Sequence, residues 1–141
     1  PSFSPEIFKE VLNKEAMKTK QLEKGLLQLM EEGVAQLFTY ELGNRKVVGV
    51  VGPLQFEVIQ FRLKNEYSAS ADFAGQNIYK ACWISSKNEK KLQEFLDSKQ
   101  RHIARDKDGK LVFMAESRAW LQMVQDNFPD INFHFTSEFK D

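Results

Sequence analysis

A chain of 141 residues with 42% hydrophobic side chains and twelve phenylalanines has the material for one domain or two very small ones, and is not a disordered tail. Its twenty basic and twenty acidic residues cancel to a formal charge of zero, which excludes a global field for nucleic acid and leaves RNA contact to a local patch. The single cysteine, Cys82, excludes an internal disulfide and fits a reducing compartment.

There is no signal peptide and no apolar run long enough to span a membrane, so a cytoplasmic protein without membrane contact is expected. The chain opens on Pro1, not on methionine, which suggests a piece of a longer protein.

Residues 3–13 (FSPEIFKEVLN) predict a first strand, with Pro5 keeping its start out of a central ladder. Residues 16–32 predict a helix: Leu22, Leu26, Leu29 and Met30 recur at helical spacing, and Gly33 supplies a left-handed cap. Residues 35–41 and 46–51 read as strands joined by Leu42-Gly43-Asn44-Arg45, a hairpin signal. After Gly49 and Gly52 the chain turns into a second helix at Pro53, where the missing N–H costs nothing. A strand around residues 69–73 completes a β-α-β-β-α-β unit, the ferredoxin-like or split βαβ pattern.

The second half repeats the order without repeating residues. Residues 78–85 (IYKACWIS) form a strand, and Ser86-Lys87-Asn88-Glu89 reads as a capping box with Ser86 at the cap. The next helix carries Leu92, Phe95 and Leu96 on one face. Residues 103–106 and 110–115 flank Lys107-Asp108-Gly109, a tight hairpin turn. Ser117 caps a last helix with the stripe Trp120, Leu121, Val124 and Phe128, stopped by Pro129, and residues 131–136 (INFHFT) alternate as a final strand. The expected class is therefore α/β (α+β): two successive β-α-β-β-α-β units, 1–75 and 76–141, each an antiparallel sheet with helices on one face. The second would pack on the first face to face, with a single merged sheet as the alternative.

The Pro53 helix is the organising element. Leu54, Val58 and Phe61 fall on one side of its wheel, and Phe56, Ile59, Leu63 and Tyr67 on the other. A helix over one sheet needs only one apolar side. The second side is expected to pack under the other half.

In this helix Leu54-Gln55-Phe56-Glu57-Val58 and Arg62-Leu63-Lys64-Asn65-Glu66-Tyr67 resemble the C-terminal region of bacterial peptide chain release factor three, a class II release factor. Residues 18–38 (KTKQLEKGLLQLMEEGVAQLF) resemble the same family's preceding helix and strand. The related domain III of elongation factor G has a similar step but usually Glu-Leu-His in place of Pro53-Leu54-Gln55-Phe56, which favours the release factor. Pro53 departs from the small apolar residue expected there. The residue-level matches run from Phe3 to Trp83.

The resemblance implies a translational GTPase that recycles the stop-codon-reading class I release factors on the ribosome. It implies that GTP and magnesium are bound by a preceding GTPase domain, with no cofactor held here. It further implies contact with rRNA, ribosomal protein and the parent's GTPase and barrel domains. The residues agree that this chain is not itself an enzyme. No G-x-x-x-x-G-K-[ST] loop occurs, and Gly49 and Gly52 before Pro53 serve a tight turn better than an anion. His102 and His134 are far apart and lack a second cysteine, His134 is expected to point to solvent, and Cys82 belongs to the core. Phe3, Phe8, Tyr40, Trp83, Phe113 and Phe133 read as core and not as a base-stacking face.

The candidate ribosome or RNA contacts are basic: Lys18, Lys20 and Lys24 around the first helix, Arg45 and Lys46 at the hairpin, and Arg62 and Lys64 on the Pro53 helix. Each sits among carboxylates, so solvation of a helix face is the plainer reading of any one of them. Two alternatives are a domain of an elongation factor G relative and a ligand-binding regulatory module of ferredoxin-like topology.

Overall fold

Among the described residues the alternation and the helical stripes translate into eight strands and four α-helices. A computed structural model describes residues 3–140. In chain order the elements are β1 (Ile7–Asn13), α1 (Thr19–Glu31), β2 (Gln36–Tyr40), β3 (Lys46–Val50), α2 (Leu54–Tyr67) and β4 (Ala71–Gly75). There follow β5 (Lys80–Ser85), α3 (Glu89–Ser98), β6 (Ile103–Arg105), β7 (Leu111–Ala115), α4 (Arg118–Asn127) and β8 (Asn132–His134).

All strands join one sheet in the order β4-β1-β3-β2-β6-β7-β5-β8, antiparallel throughout. Each half has the ferredoxin-like order, its fourth strand beside its first, then third, then second. The halves meet second strand to second strand, with Thr39 opposite Arg105 and Tyr40 opposite Ala104. The sheet is thus the merged one.

The faces nevertheless meet. On the outer face Leu37, Val48 and Val50 pack with Leu22, Leu26 and Leu29 of α1 and Ile59 and Leu63 of α2. Cys82, Ile84, Ile103 and Phe113 do the same with Phe95 of α3 and Leu121 and Val124 of α4. The helix-free faces share a third cluster, in which Phe8, Phe38, Tyr40 and Val47 of the first half lie against Trp83, Ala104, Val112 and Met114 of the second. The sheet folds over at the β2–β6 seam, and the helices are left outside.

That arrangement corrects the expectation for α2. Phe56, Ile59 and Leu63 are buried, but Leu54, Val58 and Phe61 are 70%, 47% and 68% exposed. The halves pack through the faces that carry no helix, so no element among the described residues covers the second side of α2.

Smaller differences have local causes. The cap of α3 is Asn88, whose side chain accepts from the Lys91 N–H, while Ser86 Oγ donates to Asp130 O. Ser117 caps α4 as expected, accepting from the Trp120 N–H. His134 does not face solvent alone: its ring stacks on Phe139 at 3.9 Å and bonds to Ser85 Oγ at 3.0 Å. His102 lies in a short 3-10 turn (Gln100–His102) that leads into β6. Gly49 sits inside β3, not in the following turn, and a Cβ there would come 2.8 Å from Pro5.

Candidate functional site

The strand-to-helix step at residues 50–56 is fixed by one side chain. Gln55 Oε1 accepts from the N–H groups of Val51 (3.0 Å) and Gly52 (2.9 Å), and its Nε2 donates to Val34 O (2.7 Å). With Pro53 contributing no N–H, the donors an anion would need at this helix start are occupied. Val51, just before the helix, is 48% exposed. Leu54, Val58 and Phe61 form an apolar strip along the outer side of α2, opposite Phe56, Ile59 and Leu63.

The strip is bordered by a closed ionic cluster. Arg62 bonds Glu32 at 2.7 and 3.1 Å and Glu66 at 2.7 and 2.9 Å, tying α2 to the end of α1. The hydrogen bonds from Arg62 lower the Glu32 and Glu66 carboxyls below their ordinary range and raise Arg62 further. Arg62 is therefore a structural cation.

The other basic candidates divide. Lys18 pairs with Glu15 at 3.6 Å. Arg45 pairs with Glu10 at 2.8 Å and lies 4.6 Å above the Tyr40 ring. Lys20, Lys24, Lys46 and Lys64 have no ion pair among the described residues. Arg45 and Lys46 share a shallow notch of about 180 Å³ with Thr19 at the start of α1, near Lys18 and Lys20. Lys64 belongs to α2, and Lys20 and Lys24 to the solvent strip of α1.

Burial pushes the Cys82 thiol up to about 12, so it stays protonated. Among the described residues no three His, Cys, Asp or Glu side chains converge as a metal site, and no helix is long and apolar enough to cross a membrane. What α2 offers is a surface.

A family model described as "Class II release factor RF3, C-terminal domain" matches residues 1–125. The chain belongs to that family. The match runs from the first strand into α4 and so takes in both halves, beyond the stretch where residue-level resemblance was legible. This is a release-factor domain, and its process is the termination step of protein biosynthesis.

Sequence reading found the two-sided character of α2 from its spacing but gave the second side a partner inside the chain. The role of Gln55 was missed, since nothing in a glutamine's sequence context marks it as a turn clamp.

Proposed function

We propose that this domain is the ribosome-contacting C-terminal part of a translation termination GTPase that promotes recycling of the stop-codon-reading release factors. In this reading it is cytoplasmic and non-catalytic. GTP and magnesium belong to the parent's N-terminal domain, and class I release factors are met only indirectly. The observation that carries the reading, beyond family membership, is the apolar strip of Leu54, Val58 and Phe61 on the exposed side of α2.

Its rim argues for protein and not RNA as the neighbour. Arg62 is neutralised by two carboxylates and Glu57 adds a negative charge, so of the charges bordering the strip only Lys64 is left to attract phosphate. The proposed neighbours are the GTPase and barrel domains of the same factor, to which the strip would transmit the position of the domain. The unpaired Lys20, Lys24, Lys46 and Lys64 are proposed as phosphate contacts with rRNA.

In the full-length factor Val58→Asp and Phe61→Asp are expected to reduce ribosome-stimulated GTP hydrolysis and release-factor recycling, while the melting temperature of the 141-residue chain stays unchanged. Wild-type rates in both variants would remove the strip as the interdomain contact. Isothermal titration of the 141-residue chain with GTP and magnesium is expected to give no heat of binding.

A further inference from the structure

We propose that the junction between the two halves is a contact surface for an unpaired RNA segment. The proposal rests on the ribosome-contacting reading above and names the kind of ribosomal element met at a second, separate surface.

The chain crosses between the halves at residues 76–79, and aromatic rings are exposed at its end. Tyr79 is 40% exposed and Phe135 41% exposed. The Lys80 ammonium lies 5.6 Å from the centroid of each ring, with no carboxylate paired to it among the described residues. The ring of Tyr79 is carried by fixed backbone, because its N–H donates to Ala115 O at 2.8 Å.

A notch of about 340 Å³ adjoins these residues in sequence on both strands: Ile78 precedes Tyr79, and Glu116 follows Ala115. Arg45, Gln76, Asn77, Arg101 and His102 also line it. Its acids are already engaged. Glu116 is bonded to His102 at 2.8 Å, and Arg45 donates to Glu10 at 2.8 Å. Arg101 has no ion pair among the described residues. Arg101 at the notch and Lys80 beside the rings thus carry positive charge with no carboxylate paired to it, and the Asn77 amide also lines the notch.

Half-exposed rings beside cations without a carboxylate partner match single-stranded nucleic acid: a base stacks on a ring and the adjoining phosphate takes the guanidinium or ammonium. A duplex would present its phosphates but no base face to the rings. A protein partner would ask for a contiguous apolar patch, which this chain carries on α2 and not here. None of this was legible in the sequence, where Tyr79, Phe135 and Arg101 come from separate elements.

The test is sedimentation of the full-length factor with ribosomes at two salt concentrations. The double variant Tyr79→Ala, Phe135→Ala is expected to lower affinity about tenfold, within the range for losing a stacked base. Arg101→Gln and Lys80→Gln are each expected to weaken binding and to reduce the salt slope by about one. Arg101 is exposed and unpaired, so its variant keeps the test valid should the aromatic double variant melt early. A photo-crosslinker at position 79 is expected to label rRNA. Folded variants that sediment as wild type, or a crosslink to ribosomal protein alone, overturn the RNA surface and leave the α2 reading intact. A wild-type factor that does not sediment with ribosomes overturns both.

Discussion

Phe38 and Trp83 hold their ring centroids 5.7 Å apart although their strands are three positions apart in the sheet. In a flat sheet that separation is about 14 Å. The contact exists only because the sheet folds over at the β2–β6 seam, and Phe8 extends it at 6.1 Å from Phe38. Phe38→Ala is expected to cost about 3–5 kcal/mol, the range for truncating a buried aromatic. Combined with Trp83→Ala the loss should be less than additive, since each ring is part of the other's packing. Urea melts of the two single variants and the double variant measure this; additive losses would mean the halves are energetically separate. We further propose that the division at residue 75 marks two structural repeats and not two independent folding units. Residues 1–75 alone would expose Phe8, Phe38, Tyr40 and Val47, and analytical ultracentrifugation should find that segment associated or unfolded.

The two sides of α2 should respond unequally. Leu63 is fully buried, and Leu63→Ala is expected to cost about 2–5 kcal/mol. Val58→Ala, on the strip, should stay within about 0.5 kcal/mol. Equal losses in denaturant melts would indicate a cover over the strip that the fold does not supply.

Gly25 marks the closest approach of α1 to α2. A Cβ at this position would lie 2.7 Å from Leu63 Cδ2 and 2.9 Å from the Tyr67 ring. In a free helix alanine is better than glycine by about 1 kcal/mol. Here overpacking of about 1–3 kcal/mol opposes that gain, and two close contacts favour the upper part of the range. Gly25→Ala is therefore expected to lower the melting temperature, and a rise would show that α2 shifts freely.

The Arg62 cluster sets an acid dependence. Glu32 and Glu66 have their carboxyl pKa values lowered from 4.5 by hydrogen bonds to Arg62, so the folded state binds protons less readily than the unfolded one. The resulting stabilisation is present above the unfolded carboxyl pKa and is lost as pH falls through the lowered values. Arg62→Gln should accordingly melt below wild type at pH 7 and converge with it as pH falls below about 4. The difference should also shrink in high salt, because the pairs face solvent. A gap that widens in acid would contradict the assignment.

Much of this molecule was determined by local sequence. The stripe Leu22, Leu26, Leu29 and Met30, the Gly33 cap, the Asp-Gly turn and the Ser117 cap each act within a few residues, and they set the order and kind of the elements. The paired apolar sides of α2 were equally plain, because helical spacing reports which residues share a side. Spacing does not report what lies opposite. Whether Val58 or Leu63 would be covered depended on which faces of the two halves meet, a choice made by Phe8, Phe38 and Trp83 from distant strands. The same holds for Gln55, Arg62 and the Tyr79–Phe135 junction. Their remote partners, Val34 for Gln55, Glu32 for Arg62 and Phe135 for Lys80, are brought near only by tertiary packing, and such contacts leave no periodic trace in a single sequence.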